Sequence, residues 1–402
     1  MTGNTPSAQI AARRDYAGPA FLAQGFRPFF LGAGLWAVLA LALWLAEWLG
    51  LLPAVQSLDA GWHAHEMIFG FAAAAMGGFL LTAIPNWTGR LPVRGKTLAA
   101  LALLWLAGRI VMLSAGIFGP VMTGIIDSAY LVALALAVWR EIIIGQNWRN
   151  AVVALIISLL ASANIAWHIL AALPGMDTTL AERAGIAVLV SALTLIGGRI
   201  TPSFTRNALA RRGDKRLPAP MSRFDRITLV LTAFAGVSWT FWPHSQVTGG
   251  LALIACVLNL ARLGRWRTLA ILDQPMVWVL HLGYLWIGLG FGLLSANILG
   301  GLVPQSAAIH AFTAGAFGTM ILGVMTRASR GHSGLAVTAG AVETVIYVAV
   351  GLSAILRIAA ATTNQIMLYQ LSGVLWILAF GSFVIAYWKI LTTNVRARQR
   401  PS

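Results

Sequence analysis

The stretch GWHAHEMIFGFAAAAMGGFLLTAIPNW, residues 61–87, decides the architecture of this chain. It opens with His63, His65 and Glu66, and residues 67–87 then carry no charge at all. A run of about 20 apolar residues spans the bilayer core as a helix. The densest cluster of metal-ligand side chains in the sequence therefore stands at the mouth of a membrane segment, where ionisable groups are costly and point by default to function.

The same apolar pattern recurs along the chain. Of its 402 residues 58% are hydrophobic and 10% charged, whereas a soluble domain carries about a quarter charged residues. Apolar stretches with short connections predict spans at Pro28–Leu49, Trp62–Asn86, Thr97–Gly116, Pro120–Trp139, Ala151–Leu173 and Glu182–Thr205. The second half adds Ile227–Trp242, Val247–Arg262, Met276–Ile298, Gln305–Thr326, Val337–Arg357 and Gln365–Leu391. The predicted fold is an all-α integral membrane protein of about twelve transmembrane helices. One polytopic domain, residues 27–392, lies between tails at 1–26 and 393–402. Spans seven and eight are divided only by the turn Trp242–Pro243–His244, and the count falls to eleven or ten if they are not separate helices.

Lys and Arg gather in cytoplasmic loops, and here alternate connections are basic. Arg13, Arg14 and Arg27 precede the first span, Arg90, Arg94 and Lys96 follow the second, and Arg140 and Arg149 follow the fourth. Arg206, Arg211, Arg212, Lys215 and Arg216 follow the sixth, Arg262, Arg265 and Arg267 the eighth, and Arg327 and Arg330 the tenth. Lys389, Arg396, Arg398 and Arg400 close the chain. Both termini are expected in the cytoplasm. The net charge of +16 then faces the anionic inner leaflet, and no nucleic-acid partner is needed to explain it. The polar N-terminal stretch lacks the short apolar core of a cleavable signal, so the first helix is expected to act as its own insertion signal.

Internal similarity adds a second regularity. IPNWTGR closes the second span and TPSFTR the sixth, with Pro85 and Pro202 separated by 117 residues, and VMTRASRG closes the tenth. Three four-helix pseudo-repeats fit twelve spans. Pro, Thr and Arg also commonly close membrane helices at the cytoplasmic face, which is the plainer reading.

With the N-terminus inside, His63, His65, His168 and His310 fall at one depth near the outer, periplasmic boundary, while His281 and His332 lie toward the cytoplasm. At 3.6 residues per turn His63 and His65 point about 200° apart, so a regular helix cannot chelate one metal with both. Helical spacing groups His63 with Glu66 and Met67, and His65 with Phe69 and Met76. Imidazole suits haem iron and copper. The single Cys256 excludes a disulfide within the chain and a C-x-x-C-H attachment, so any haem is non-covalent. Two buried charges, Arg109 and Asp127, are expected to pair, although Arg109 or Arg357 can instead meet a haem propionate. Arg199, Thr201 and Ser203 either form an inner polar pocket with His281, Arg327 and His332 or anchor their helix in headgroups.

GWHAHEMIFGF, GGRITPSFTRNAL, LHLGYLWIGLG and HAFTAGAFGTMILGVMTRASRGHSG resemble the NnrS proteins, polytopic bacterial membrane proteins linked to the response to nitric oxide. The resemblance runs from GFRPFFLGAGLWA almost to the end. It implies an inner-membrane protein with non-covalent, b-type haem and copper, meeting nitric oxide or a related diatomic ligand. It names no reaction and no electron donor, so whether the protein is an oxidoreductase stays open. His63, His65, His281, His310 and His332 fall in the matching motifs, and His168 in a weaker match. One of His63 and His65 is expected as an axial haem ligand, partnered by His310 or His168, with the other at copper or a haem-linked acceptor. Glu66 is expected to orient an imidazole. A second site is expected to involve His281 and His332.

Two other classes compete. Haem–copper oxidases and nitric oxide reductases also have twelve core helices, but they use adjacent histidines on later spans, and this chain has no His-His pair. A secondary transporter fits the twelve helices and the glycine-rich interfaces, whereas histidines gathered at one membrane face and few mid-depth acids speak against proton coupling. Reporter fusions after Arg216 and Arg398 are expected to read cytoplasmic, and one after Asp177 periplasmic. A periplasmic reading at Arg216 overturns the orientation.

Overall fold

The computed structural model describes residues 16–52 and 58–394, and every regular element among them is helical. Of the cations in the charge pattern, Arg13, Arg14, Arg396, Arg398 and Arg400 lie outside the described residues, as does most of each tail. Twelve long helices follow the predicted spans. They are α1 Phe26–Trp48, α2 Ala60–Thr88, α3 Gly95–Leu113, α4 Ala115–Ile144, α5 Ala151–Ala172 and α6 Thr179–Ala210. Then come α7 Arg223–Phe241, α8 Gln246–Gly264, α9 Pro275–Gly300, α10 Gln305–His332, α11 Ala341–Thr363 and α12 Ile366–Thr392. Eleven are long and apolar enough to cross a membrane, and α7 is the exception. Spans seven and eight are separate helices. The seventh is less apolar because its first turn carries Arg223, Asp225 and Arg226, with Asp225 bonded to the N-cap Ser222.

Outward faces are as apolar as the interior. On α4, Ile117 is 83% and Val121 71% exposed, a surface that only hydrocarbon would solvate without penalty. Inward faces are closed by small residues and aromatic rings, as expected where membrane helices pack by close approach.

Consecutive helices lie side by side, and α12 packs against α1, so the twelve form a closed round. The second helix of each successive four, α2, α6 and α10, reaches inward to touch the other two. That arrangement agrees with three four-helix units. Two cations counted as loop charges are instead inside. Arg27 donates from Nη1 to the carbonyls of Ile390, Leu391 and Thr393 at 3.0, 3.3 and 2.9 Å, which joins the first helix to the end of the last. Arg262 is fully buried and donates to Asp225 Oδ1 at 2.9 Å and Tyr284 Oη at 2.8 Å. Each pairs its guanidinium with protein acceptors instead of headgroups.

Three helices depart from regular geometry. α4 breaks at Gly119, whose φ of 72° precedes Pro120, where the sequence pattern begins the span. α2 and α10 each contain a π-helical stretch, Glu66–Ala72 and Ala311–Phe317, beginning immediately after His65 and His310. Such insertions re-aim the side chains that follow and are frequent at functional sites.

Close approach of α9 to α10 depends on Gly283. A Cβ there would stand 3.0 Å from the backbone nitrogen of Met320, which cannot swing aside. Gly283→Val is expected to destabilise the protein by about 1–3 kcal/mol, read as a lower midpoint of thermal unfolding in detergent. An unchanged midpoint would show that the two helices tolerate separation.

Candidate functional site

His63 and His65 face different surroundings, as their angular separation requires. His65 is fully buried among α2, α3, α4 and α5. Its Nδ1 lies 3.0 Å from Glu66 Oε1, and its Nε2 lies 2.9 Å from Asn164 Oδ1 and 3.2 Å from Asp127 Oδ2. Asn164 Nδ2 donates to Asp127 Oδ2 at 2.9 Å, which turns the amide oxygen toward His65. His168 Nε2 lies 2.9 Å from the same carboxylate oxygen. Arg109 closes the cluster by bridging Glu66 Oε2 and Asp127 Oδ1. The expected Arg109–Asp127 pair is present, with Glu66 as a third member.

The charges of this cluster have a definite balance. Two carboxylates face one guanidinium, and His65 has acceptors at both ring nitrogens, the pattern of a ring that donates twice. A protonated His65 makes the group neutral. Ligating atoms of His65, Asp127 and His168 also lie within 4.8 Å of one another, the spacing of a metal site. No other such group of three occurs among the described residues. Imidazole and carboxylate together suit a first-row divalent ion such as Cu²⁺.

Backbone geometry holds the cluster in place. Gly70, inside the π-helical stretch, leaves room for it: an added Cβ would collide with the Arg109 guanidinium and stand 2.8 Å from Glu66 Oε2. Trp105 Nε1 donates to the Gly70 carbonyl at 3.0 Å, and the Arg109 guanidinium lies 5.9 Å from the Trp36 ring centre. Here one expectation is corrected. Regular spacing places Glu66 beside His63, but its carboxylate is drawn to the His65 side by His65 Nδ1 and Arg109, while Met67 stays with His63. Glu66 does orient an imidazole, that of His65.

On the opposite side of α2, His63 and His310 line one cavity of about 460 Å³, within the range of ordinary cofactor and ligand sites. His63 stacks on Trp44, with ring centres 5.2 Å apart, and its buried Nδ1 has no hydrogen-bond partner. His310 Nδ1 lies 2.7 Å from the Ser306 carbonyl. A carbonyl only accepts, so Nδ1 carries the proton and Nε2 keeps a lone pair for a ligand. Arg357 lines the same cavity, has a buried Nη1 without a partner, and forms no ion pair among the described residues. Glu182 and Arg183 of α6 add two further charged groups to its lining.

The remaining histidines are held elsewhere. His281 has both nitrogens engaged, Nε2 with Thr205 Oγ1 at 2.7 Å and Nδ1 with Thr268 Oγ1 at 2.9 Å. His332 packs against Phe26 at 5.7 Å between ring centres and lines a small cavity with Thr82 and Asn86. Arg327 lies over the Phe204 ring at 3.8 Å. Asn164, Ser306 and Glu182 were not singled out from sequence. Asn164 had a usable signal, because it stands four residues before His168 in an otherwise apolar helix and shares its face.

Fold and site together define a multi-pass α-helical membrane protein with a buried histidine–carboxylate cluster beside a histidine-lined cavity. The NnrS protein family model matches residues 20–394, and the chain belongs to that family. No curated protein matches it.

Breaking the cluster has a signed consequence. Arg109→Met strands two buried carboxylates and is expected to cost about 3–5 kcal/mol. Adding Asp127→Asn removes one charge of each sign and should restore much of that loss in thermal unfolding. Equal losses in the single and double variants would mean that Arg109 has a separate role.

Proposed function

We propose that this protein is a haem- and copper-binding protein of the bacterial inner membrane. Its role is in the response to nitric oxide, through binding or redox chemistry of nitric oxide or a related uncharged diatomic. One observation carries the reading: His63 and His310 come from separate helices to the same cavity, each without a protein partner at one ring nitrogen. The fit extends to charge, since Arg357, which lies over the Tyr369 ring and forms no ion pair among the described residues, keeps a free Nη1 that suits a carboxylate such as a haem propionate. His63 and His310 would hold a b-type haem through their free ring nitrogens, the ring of Trp44 would steady His63, and Arg357 would meet a propionate. When bound, the haem supplies an iron centre that exchanges single electrons.

Copper has its best ligands at His65, Asp127 and His168, where metal binding would replace the protons now shared among them. Asn164 and Glu66 would then orient the two imidazoles. In the orientation read from the basic loops, both groups lie in the periplasmic half. Uncharged diatomics dissolve in hydrocarbon, so a site at this depth meets them without an aqueous channel.

Purified protein tests the assignment directly. Wild type is expected to show a Soret band and to contain copper. His63→Ala and His310→Ala should each lose most of the haem absorbance with helical content unchanged, whereas His168→Ala should keep the haem and lose copper by elemental analysis. Full haem in the His63→Ala, His310→Ala double variant would refute the cavity assignment. A colourless, metal-free wild type would favour a carrier that uses the same cavity for its substrate.

A further inference from the structure

A second, smaller opening of about 60 Å³ lies where α2, α6 and α10 meet. Its walls come from Ala72, Ala75 and Met76 of α2, Ala192 of α6, and Phe317 and Met320 of α10, among others, and no lining side chain carries nitrogen or oxygen. Water needs about 2–4 polar partners to remain in a cavity, and this one offers none on its side chains. Apolar cavities of this kind stay dry and accept xenon or small hydrocarbons. The volume is too small for a porphyrin.

Two further features bear on its use. Phe317, the last residue of the π-helical stretch in α10, lines both this opening and the large cavity. On the other side the walls include half-buried Met76, Phe79 and Ile196, whereas Ala75, Ala192 and Phe317 are closed in. The opening thus has one less covered side and shares one wall with the cavity of His63 and His310.

We infer that this opening is a binding pocket for uncharged molecules of two or three atoms, and that such molecules pass from it by way of Phe317 into the large cavity. The inference deepens the nitric oxide reading by assigning the diatomic its own apolar site, apart from the histidines. Chemical selection would be by absence: ions and water lose their hydrogen bonds on entering, and a gas loses nothing.

Xenon tests the pocket without any haem. Crystals of the wild-type protein pressurised with xenon should show it bound among Ala75, Ala192 and Phe317, and its absence there would overturn the pocket. Ala192→Leu, which fills the space, should abolish that xenon site. In haem-loaded protein with an unchanged Soret band, the same variant should slow the reaction of nitric oxide with the reduced haem by about tenfold, equivalent to roughly 1.4 kcal/mol on the barrier. An unchanged rate with the xenon site lost would overturn the route. If Ala192→Leu does not fold, Phe317→Ala should instead accelerate the reaction, and no acceleration would count against the route equally. Xenon binding in a preparation that takes up no haem would defeat the haem reading and leave the pocket standing.

Discussion

The bridge that Arg109 makes between Glu66 and Asp127 is the constraint on which the site depends. Charges taken out of water lose several kcal/mol each and recover it only through well-placed partners. Here those partners come from four consecutive helices, α2 to α5, so the ionic cluster fixes their mutual rotation. Once His65 is locked against Asp127 and Asn164, His63, two residues earlier, must face the other way. The large cavity therefore obtains its histidine from the same interaction that closes the cluster behind it.

Much of this was legible in the amino-acid order, for identifiable reasons. Apolar runs mark all twelve helices, eleven of them long and apolar enough to cross a membrane, and Pro120 marks the break inside α4. The opposite placement of His63 and His65 follows from helical pitch alone, and Arg109 and Asp127 are natural partners as isolated charges in neighbouring spans. What escaped is set by tertiary context. Nothing in the composition of Glu66–Ala72 announces a π-helical stretch, and helical spacing does not show that Arg109 and His65 draw the Glu66 carboxylate away from His63. Arg27 and Arg262 look like loop cations because they stand at span ends, yet both are turned inward onto protein acceptors.

The repeat has a chemical side as well as an architectural one. Shifting the sequence by 117 residues aligns Pro85 with Pro202 and sets His65 against Glu182, which lines the large cavity from α6. The third unit supplies His310, followed, like His65, by a π-helical stretch. Each central helix thus brings a polar side chain into the apolar bundle, an ion-paired imidazole in α2, a carboxylate in α6 and an open imidazole in α10.

Closure of the helical round through Arg27 also bears on biosynthesis. Its acceptors, Ile390, Leu391 and Thr393, are more than 360 residues downstream, so these bonds form only after nearly the whole chain has been made. Contacts of such separation form late. A polypeptide ending before α12 would leave the flank of α1 that α12 covers open and Arg27 without its carbonyl acceptors. The first helix is thus completed only when the last is in place, and one side chain ties together the two ends of the helical round.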